Sequence, residues 1–370
     1  MNKIITIGIT GIKGFIGWHL NCFLNQKPGI EVRGAGRKDF SDKNRLLNFV
    51  KSCDFIVHLA GINKGSEKEL FEINADISKS LIAACKAVDF KGCIFFASST
   101  HIYKNSIYGK AKKFCSKLLS QWANNSKGNF TNMILPHVFG EQCTPFYNSV
   151  IATFCYQIAN GQATKIDNNI ELELIHAQDV CRRIFEFISN FVKREEVCFP
   201  GVKITVKDVL TKLTELADLY NNQIIPDLSN DFNLQLFNTY RSYIFPKYYP
   251  VKIPIYSDQR GDLFETVKAY SKGKCFVSTT QPGFTRGNHY HLLKFERFLI
   301  LEGRALISLR RLFTDKVIKF ELDGQEPAYV DIPTFYTHNI KNIGKNKLIT
   351  LFWSNKIKKD LNIDTFYENV

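Results

Sequence analysis

From its first residues to about position 190 the chain alternates short apolar runs with helix-length stretches. The apolar runs fall at residues 4–9, 31–35, 55–59, 93–97 and 132–135. Strands alternating with helical segments predict βαβ units around a parallel sheet. A polar, helical stretch from 205 to about 240 follows. Residues 245–254, Phe-Pro-Lys-Tyr-Tyr-Pro-Val-Lys-Ile-Pro, then bring Pro246, Pro250 and Pro254 close together. Proline fixes φ and donates no backbone N–H, so this segment is expected to lack regular structure and to be a linker. Beyond it the period changes to short β-rich runs at 275–280, 297–301, 305–309, 317–322, 329–332 and 348–353. Such spacing predicts a sandwich or small barrel. The expected architecture is α/β: an N-terminal Rossmann-type parallel sheet over residues 1–246 and a C-terminal all-β domain over residues 247–370.

Length and composition agree. A chain of 370 residues, 45% of them hydrophobic, suits two packed cores. No run of about 18 uncharged apolar residues appears, so no membrane span is expected. The apolar start, 1–9, lacks a basic flank and a small-residue cleavage site, and reads as a first strand rather than a signal peptide. The ten cysteines show no CxxC spacing. Scattered thiols point to a reducing compartment and hence to a cytoplasmic protein. The net charge of +14 would suit phosphates of any origin. Its lysines are spread along the chain, with no basic block interleaved with aromatics, which argues against nucleic acid and for a small anionic substrate.

Two groups of residues carry chemistry. The first begins after the first strand with Thr10-Gly11-Ile12-Lys13-Gly14-Phe15-Ile16-Gly17, leading into a helical stretch. Glycines there allow a tight turn and a close approach of pyrophosphate to the backbone, although a triplet alone also fits a plain turn. An NAD site usually has an acid after the second strand; here Gly36-Arg37-Lys38 follows. Arg37, helped by Lys13, suits the 2′-phosphate of NADPH. Further on, Ser99 closes the run Phe95-Phe-Ala-Ser-Ser99, and Tyr108 precedes Lys112 by four positions. On a helix that spacing puts phenol and ammonium on one face, so the ammonium can lower the phenol pKa and hold the nicotinamide ribose. Tyr108 is then a candidate proton donor and Ser99 a hydrogen-bond partner for the substrate oxygen. An ordinary amphipathic helix also carries such spacings by chance.

The second group lies in the all-β part: His289, His291 and Glu296 between Gly283 and Gly303, with His338 in Pro333-Thr-Phe-Tyr-Thr-His338. Histidines two apart on a strand share a face, and a glutamate on the hairpin return completes three ligands, His338 being a fourth. Three of the chain's eight histidines occupy these positions. Such a set suits zinc, iron, manganese or nickel, or simply fills a barrel without metal. Zinc is expected, because the chemistry below needs Lewis acidity and no redox step.

The first set, in the order TGxxGFIG, Asp54-Phe-Ile-Val-His-Leu59-Ala60-Gly61, Asn74, Ser99 and Tyr108/Lys112, resembles the extended short-chain dehydrogenase/reductase family of sugar-nucleotide enzymes. The resemblance implies that Gly11, Lys13, Gly14, Phe15, Ile16, Gly17, Arg37, Leu59, Ala60 and Lys112 bind the cofactor, that Ser99, Tyr108 and Lys112 are catalytic, and that 135–140 and 148–154 line the sugar-nucleotide pocket. The second set resembles the two cupin motifs, except that Phe335 stands where the second motif usually has glycine. Asp258-Gln-Arg260-Gly261 and Arg286-Gly-Asn-His289-Tyr290 also resemble the dTDP-4-dehydrorhamnose 3,5-epimerase type of cupin, in which the corresponding histidine is the base. If His289 is instead a ligand, Tyr336 and Lys294 are candidate bases.

The whole chain, with 147–155 and the ending Asp364-Thr-Phe-Tyr-Glu, resembles the bifunctional capsular-polysaccharide enzymes of the UDP-N-acetyl-L-fucosamine pathway. That resemblance implies a UDP-activated 4-keto amino sugar, UDP-2-acetamido-2,6-dideoxy-β-L-arabino-hex-4-ulose, inverted at C3 by the cupin and reduced at C4 with NADPH to the L-talo sugar. It also implies a homodimer. Alternatives are a reductase or epimerase acting alone beside a structural or dimerising cupin, or a sugar-nucleotide or metal sensor with an idle Ser99/Tyr108/Lys112 set.

Overall fold

The computed structural model describes residues 4–191, 195–259, 261–355 and 364–370. They form two compact units, one of residues 4–139, 143–150 and 169–206, the other of 140–142, 151–168 and 207–370. Among the described residues no helix is long and apolar enough to cross a membrane.

In the first unit a six-stranded, all-parallel sheet runs β2-β1-β3-β4-β5-β8, where β1 is Ile5–Thr10, β2 Ile30–Ala35, β3 Phe55–His58, β4 Cys93–Ser99, β5 Asn129–Leu135 and β8 Glu196–Cys198. A smaller sheet joins β6 (His137–Phe139), β7 (Glu171–His176) and β9 (Val202–Thr205). Helices α1 (Phe15–Leu24) and α7 (Ala177–Ser189) cover one face of the large sheet with Leu20, Leu24, Val180 and Ile184. Helices α3 (Lys43–Lys51), α4 (Glu67–Ala87) and α5 (Ile107–Asn124) cover the other with Phe49, Leu81, Leu119 and Trp122. Covered on both faces, β4 is buried from Cys93 to Ser98, which is why its sequence reads as one apolar run. A short helix, α2 (Arg37–Phe40), follows β2. Helix starts are set locally. Ser66 accepts from Glu69 N while the Glu69 carboxylate accepts from Ser66 N, a capping box for α4, and Ser106 Oγ accepts from Gly109 N at the start of α5.

The second unit holds α6 (Val150–Ala159, whose first residue belongs to the first unit), α8 (Val206–Asn221, likewise), α9 (Asp231–Ile244) and two antiparallel five-stranded sheets. Their strands are β11 (Val251–Lys252), β15 (Lys274–Thr280), β16 (Thr285–Tyr290), β17 (Glu296–Glu302), β18 (Arg304–Arg311), β19 (Val317–Asp323), β20 (Ala328–Ile332), β21 (Tyr336–Asn342), β22 (Leu348–Ser354) and β23 (Phe366–Tyr367). One sheet is ordered β11-β20-β17-β22-β15 and the other β19-β18-β21-β16-β23. Both supply the core around Phe298, Ile300, Ile307, Leu309, Val330 and Ile340. Two short pairs complete the unit, β10 (Ile224–Ile225) with β14 (Lys268–Ala269) and β12 (Tyr256–Asp258) with β13 (Gly261–Leu263). Arg260 of the epimerase-like motif lies outside the described residues.

Two expectations change. The segment 245–254 is not wholly irregular: between Pro250 and Pro254, β11 pairs with β20 at the edge of its sheet, where proline's missing N–H costs no ladder bond. The helical stretch expected over 205–240 is two helices separated by β10. Those helices fall in the same compact unit as the β sheets, and both ring packing and polar contacts join them: Phe237 of α9 packs edge-on to Phe295, 5.8 Å between ring centres. Arg297 donates to both oxygens of buried Asp331, at 2.7 and 2.9 Å, and Tyr220 of α8 donates to the same carboxylate. From α9, Asn238 donates to Leu293 O at 2.9 Å and Arg241 to Ile332 O at 3.2 Å.

Candidate active site and metal centre

β1 lies between β2 and β3, where the winding of the sheet reverses, and open α/β sheets bind ligands beyond the strands' C-terminal ends at such a point. The glycine loop sits there. Gly11, at φ +71°, takes a conformation that glycine adopts without strain, and its N–H donates to Ala35 O at 2.8 Å. Gly17 packs so tightly that a Cβ would stand 2.3 Å from Gly11 O. Helix α1 starts at Phe15 with Gly14 as cap; no side chain caps it and no acid lies in its first turn. Its first N–H groups therefore remain available to an anion. Ile16 points into the core below, and Phe15 packs edge-on to His19. Lys13 and Arg37 are exposed beside the loop, Arg37 as the first residue of α2. The carboxylate at that edge, Asp39, is turned back onto Gly36 N at 2.8 Å.

Leu59 and Ala60 form the opposite lip, and their placement rests on residues the sequence reading passed over. Thr10 Oγ1 accepts from Leu59 N and Ala60 N, both at 3.1 Å, and bonds His58 Nδ1 at 2.7 Å. Burial, with the Lys112 charge nearby, pushes the His58 imidazole down to about 3, so the ring stays neutral. Asn74 braces the next turn, exchanging hydrogen bonds with Ile62 N and O and donating to Leu70 O. The hint was present: Thr10 and His58 both belong to the strand-end motifs.

Ser99 ends β4, and Tyr108 and Lys112 lie in the first turns of α5. Lys112 is only 6% exposed; its Nζ donates to Ala97 O at 2.8 Å and sits 5.7 Å from the Tyr108 ring centre. Ammonium and phenol thus share one face, as their spacing predicts. His101 packs edge-on to Tyr108, 5.7 Å between ring centres. Ser99 Oγ accepts from His101 N at 3.3 Å, and among the described residues it makes no hydrogen bond to Tyr108.

In the second unit His289, His291, Glu296 and His338 offer ligand atoms all within 4.8 Å of one another. Glu296 Oε2 lies 3.3 Å from His291 Nε2, 3.5 Å from His338 Nε2 and 3.7 Å from His289 Nε2. Four donors about 2.1 Å from a tetrahedral ion stand about 3.4 Å apart, so the set fits a divalent cation. Two carbonyls fix the tautomers: His291 Nδ1 donates to Asp364 O at 2.5 Å and His338 Nδ1 to Tyr336 O at 3.1 Å. Both Nε2 lone pairs are thereby left for a ligand role, and His338 Nε2 is buried without a hydrogen-bond partner among the described residues. Burial alone would raise the Glu296 carboxyl, but the three imidazoles beside it hold it well below its ordinary range.

His289 faces His338 across the β16–β21 ladder, next to a bulge at Asn288, while His291 lies just past the end of β16. Glu296 is not on a hairpin return. It opens β17 in the other sheet, so the turn after His291 crosses between sheets and brings the carboxylate in from the facing wall. Phe335 adopts φ +65°, keeping the turn that glycine would favour, and its N–H donates to His291 O at 2.8 Å. Of the two candidate bases, Lys294 is committed to Glu296 Oε1 at 3.0 Å. Tyr336 packs on Phe245, and burial pushes its phenol up, opposed by Arg311.

Comparison with known proteins follows the two units. A profile described as "Polysaccharide biosynthesis C-terminal domain" matches residues 256–366. A curated relative from Pseudomonas aeruginosa, UDP-2-acetamido-2,6-beta-L-arabino-hexul-4-ose reductase, is 29% identical over 367 residues, 97% of each chain. Among solved structures, the capsular polysaccharide assembling protein CapF from Staphylococcus aureus superposes with a TM-score of 0.62 at 29% identity, over 99% of this chain and 100% of that one. RMD from Pseudomonas aeruginosa, solved with NADPH, matches in fold with a TM-score of 0.53 at 20% identity, over 59% of this chain and 83% of that one. The profile of the NAD dependent epimerase/dehydratase family spans residues 7–197, more than half the length, and the chain belongs to that family.

Proposed function

We propose that the chain is a bifunctional nucleotide-sugar enzyme of capsule or O-antigen synthesis. The N-terminal α/β part reduces the C4 ketone of a UDP-2-acetamido-2,6-dideoxy-hex-4-ulose with NADPH, and the C-terminal β-sheet part, read as a cupin barrel, inverts C3. The observation that carries the reading is the pairing of Tyr108 with buried Lys112 beside the glycine loop, together with three imidazoles converging on one carboxylate oxygen elsewhere in the same chain. Full-length similarity to a reductase of this keto sugar supports the substrate class.

NADPH supplies the hydride, and exposed Arg37 and Lys13 suit its 2′-phosphate. Tyr108 donates the proton to the C4 oxygen, Lys112 holds positive charge beneath the phenol, and Ser99 orients the carbonyl. A divalent cation, taken as zinc, supplies Lewis acidity to charge building on the ketone oxygen. His289, His291, Glu296 and His338 would hold it, and Lys294 keeps the second carboxylate oxygen occupied. The C3 proton is acidic only while C4 is a ketone, so inversion precedes reduction.

Incubating the chain with NADPH and the UDP-linked 4-ulose tests this. One NADPH consumed per ketone, with product inverted at C3, is expected; no oxidation contradicts the reductase assignment. Reduction without inversion supports the other reading, a reductase beside a structural β unit, for which the name of the curated relative also speaks.

A further inference from the structure

The end of the chain returns to the histidine cluster. Asp364 places its main-chain oxygen on His291 Nδ1, and its carboxylate accepts from three successive N–H groups: Leu292 at 2.9 Å, Leu293 at 3.2 Å and Lys294 at 2.7 Å. Beyond it β23 adds to the edge of β16, setting Phe366 opposite Tyr290 and Tyr367 opposite His289. Glu368 N donates to Asn288 O at 3.0 Å, and Thr337, next to His338, donates to Glu368 O. Arg310 closes the far side, donating to the Glu368 carboxylate at 2.8 Å and to Asn369 O at 2.6 Å. The terminal residues are thus bonded to the backbone around His289, His291 and His338 and to the turn that delivers Lys294 and Glu296.

We propose that residues 364–370 form a strap that preorganises the metal centre, with Asp364 as its positioning residue. The inference rests on the metal reading above. A carbonyl cannot donate, so Asp364 O keeps the proton on His291 Nδ1 and the lone pair of Nε2 turned toward Glu296. The Asp364 carboxylate fixes the turn through which Lys294 grips Glu296 Oε1, leaving Oε2 to face the imidazoles. Ligand and supporting shell are therefore held by one peptide, and outer-shell partners of this kind commonly change metal affinity about 10- to 100-fold. Linkage makes the coupling reciprocal: if the strap tightens the metal, the metal tightens the strap by the same factor.

The test loads full-length protein with Zn²⁺ and follows release to a chromophoric chelator, alongside hydrogen exchange at the amides of Leu292, Leu293 and Lys294. Asp364→Ala is expected to release zinc about 10- to 100-fold faster. Asp364→Asn, which keeps an acceptor, should fall between it and wild type. Zinc should slow exchange of the three amides in wild type and much less in Asp364→Ala. A purely structural role would lower the denaturation midpoint of zinc-free protein and leave the release rate unchanged, and that result overturns the strap. Should Asp364→Ala not fold, Arg310→Gln decides, since it loosens the far end only: several-fold faster release supports the strap and unchanged release overturns it. Wild type that takes up no zinc overturns the metal reading and the strap together, whereas equal release from loaded wild type and loaded variants overturns the strap alone.

Discussion

Gly17→Ala probes the cofactor loop with a single methyl group. The added Cβ would stand 2.3 Å from Gly11 O, 2.9 Å from Ile12 Cα and 3.0 Å from Gly11 C, all backbone atoms with no rotamer to turn away. Restoring ordinary contact requires the loop and α1 to part by roughly 1 Å, and overpacking of this kind costs about 1–3 kcal/mol. The loop cannot yield freely, because Gly11 N is held on Ala35 O and Gly14 N on Gly11 O, both at 2.8 Å. Displacement of about 1 Å at a preorganised site commonly costs on the order of 100-fold. NADPH affinity, followed by the fluorescence of the reduced nicotinamide, should therefore fall about 10- to 100-fold. Gly14→Ala meets one atom, Gly11 O at 3.1 Å, and should lose only a few-fold. Zinc binding in the second unit should be unaffected by either change. Wild-type NADPH affinity in Gly17→Ala would refute the assignment of this loop to the pyrophosphate.

Arg37→Ala should raise the KM for NADPH roughly 10- to 100-fold, as loss of a hydrogen bond to a charged group does, and leave NADH use unchanged. His58 is buried neutral with its pKa pushed down to about 3, so the unfolded chain binds this proton more readily than the folded one. Its contribution to stability is complete above the unfolded pKa of about 6.5 and is lost as pH falls from there toward 3; His58→Asn should flatten the acid limb of the first unit's denaturation midpoint. At Phe335, 1% exposed with φ +65°, removing the ring loses about 3–5 kcal/mol, while only glycine relieves the left-handed strain of about 1–3 kcal/mol. Chemical denaturation should therefore rank Phe335→Gly above Phe335→Ala, the reverse of the usual order.

Much of the first unit was legible because its signals are local. Uniform apolar runs mark strands covered on both faces, and the four-residue spacing of Tyr108 and Lys112 fixes a shared helix face. The candidate ligand set was legible as residue types, since histidine is scarce in this chain and three cluster in motif positions. What supports them was not. Asp364 meets His291 through a carbonyl, which no side-chain pattern encodes. The crossing of the turn after His291 to the opposite sheet is decided by pairing with β20 and β22, far along the chain. The buried Arg297–Asp331–Tyr220 contact that joins α8 to the β sheets, and the Asn238 and Arg241 bonds that join α9, are polar pairings on which apolar periodicity is silent.

The claim that one chain carries two separable chemistries is tested most directly in deuterated solvent with the 4-keto UDP sugar, reading C3 exchange by mass and NADPH oxidation by absorbance. Tyr108→Phe should abolish oxidation and leave exchange intact, and His291→Ala should abolish exchange and spare oxidation of substrate already inverted at C3. Exchange that survives in His291→Ala at the wild-type rate would contradict the account, because the histidine cluster would then have no part in removing the C3 proton.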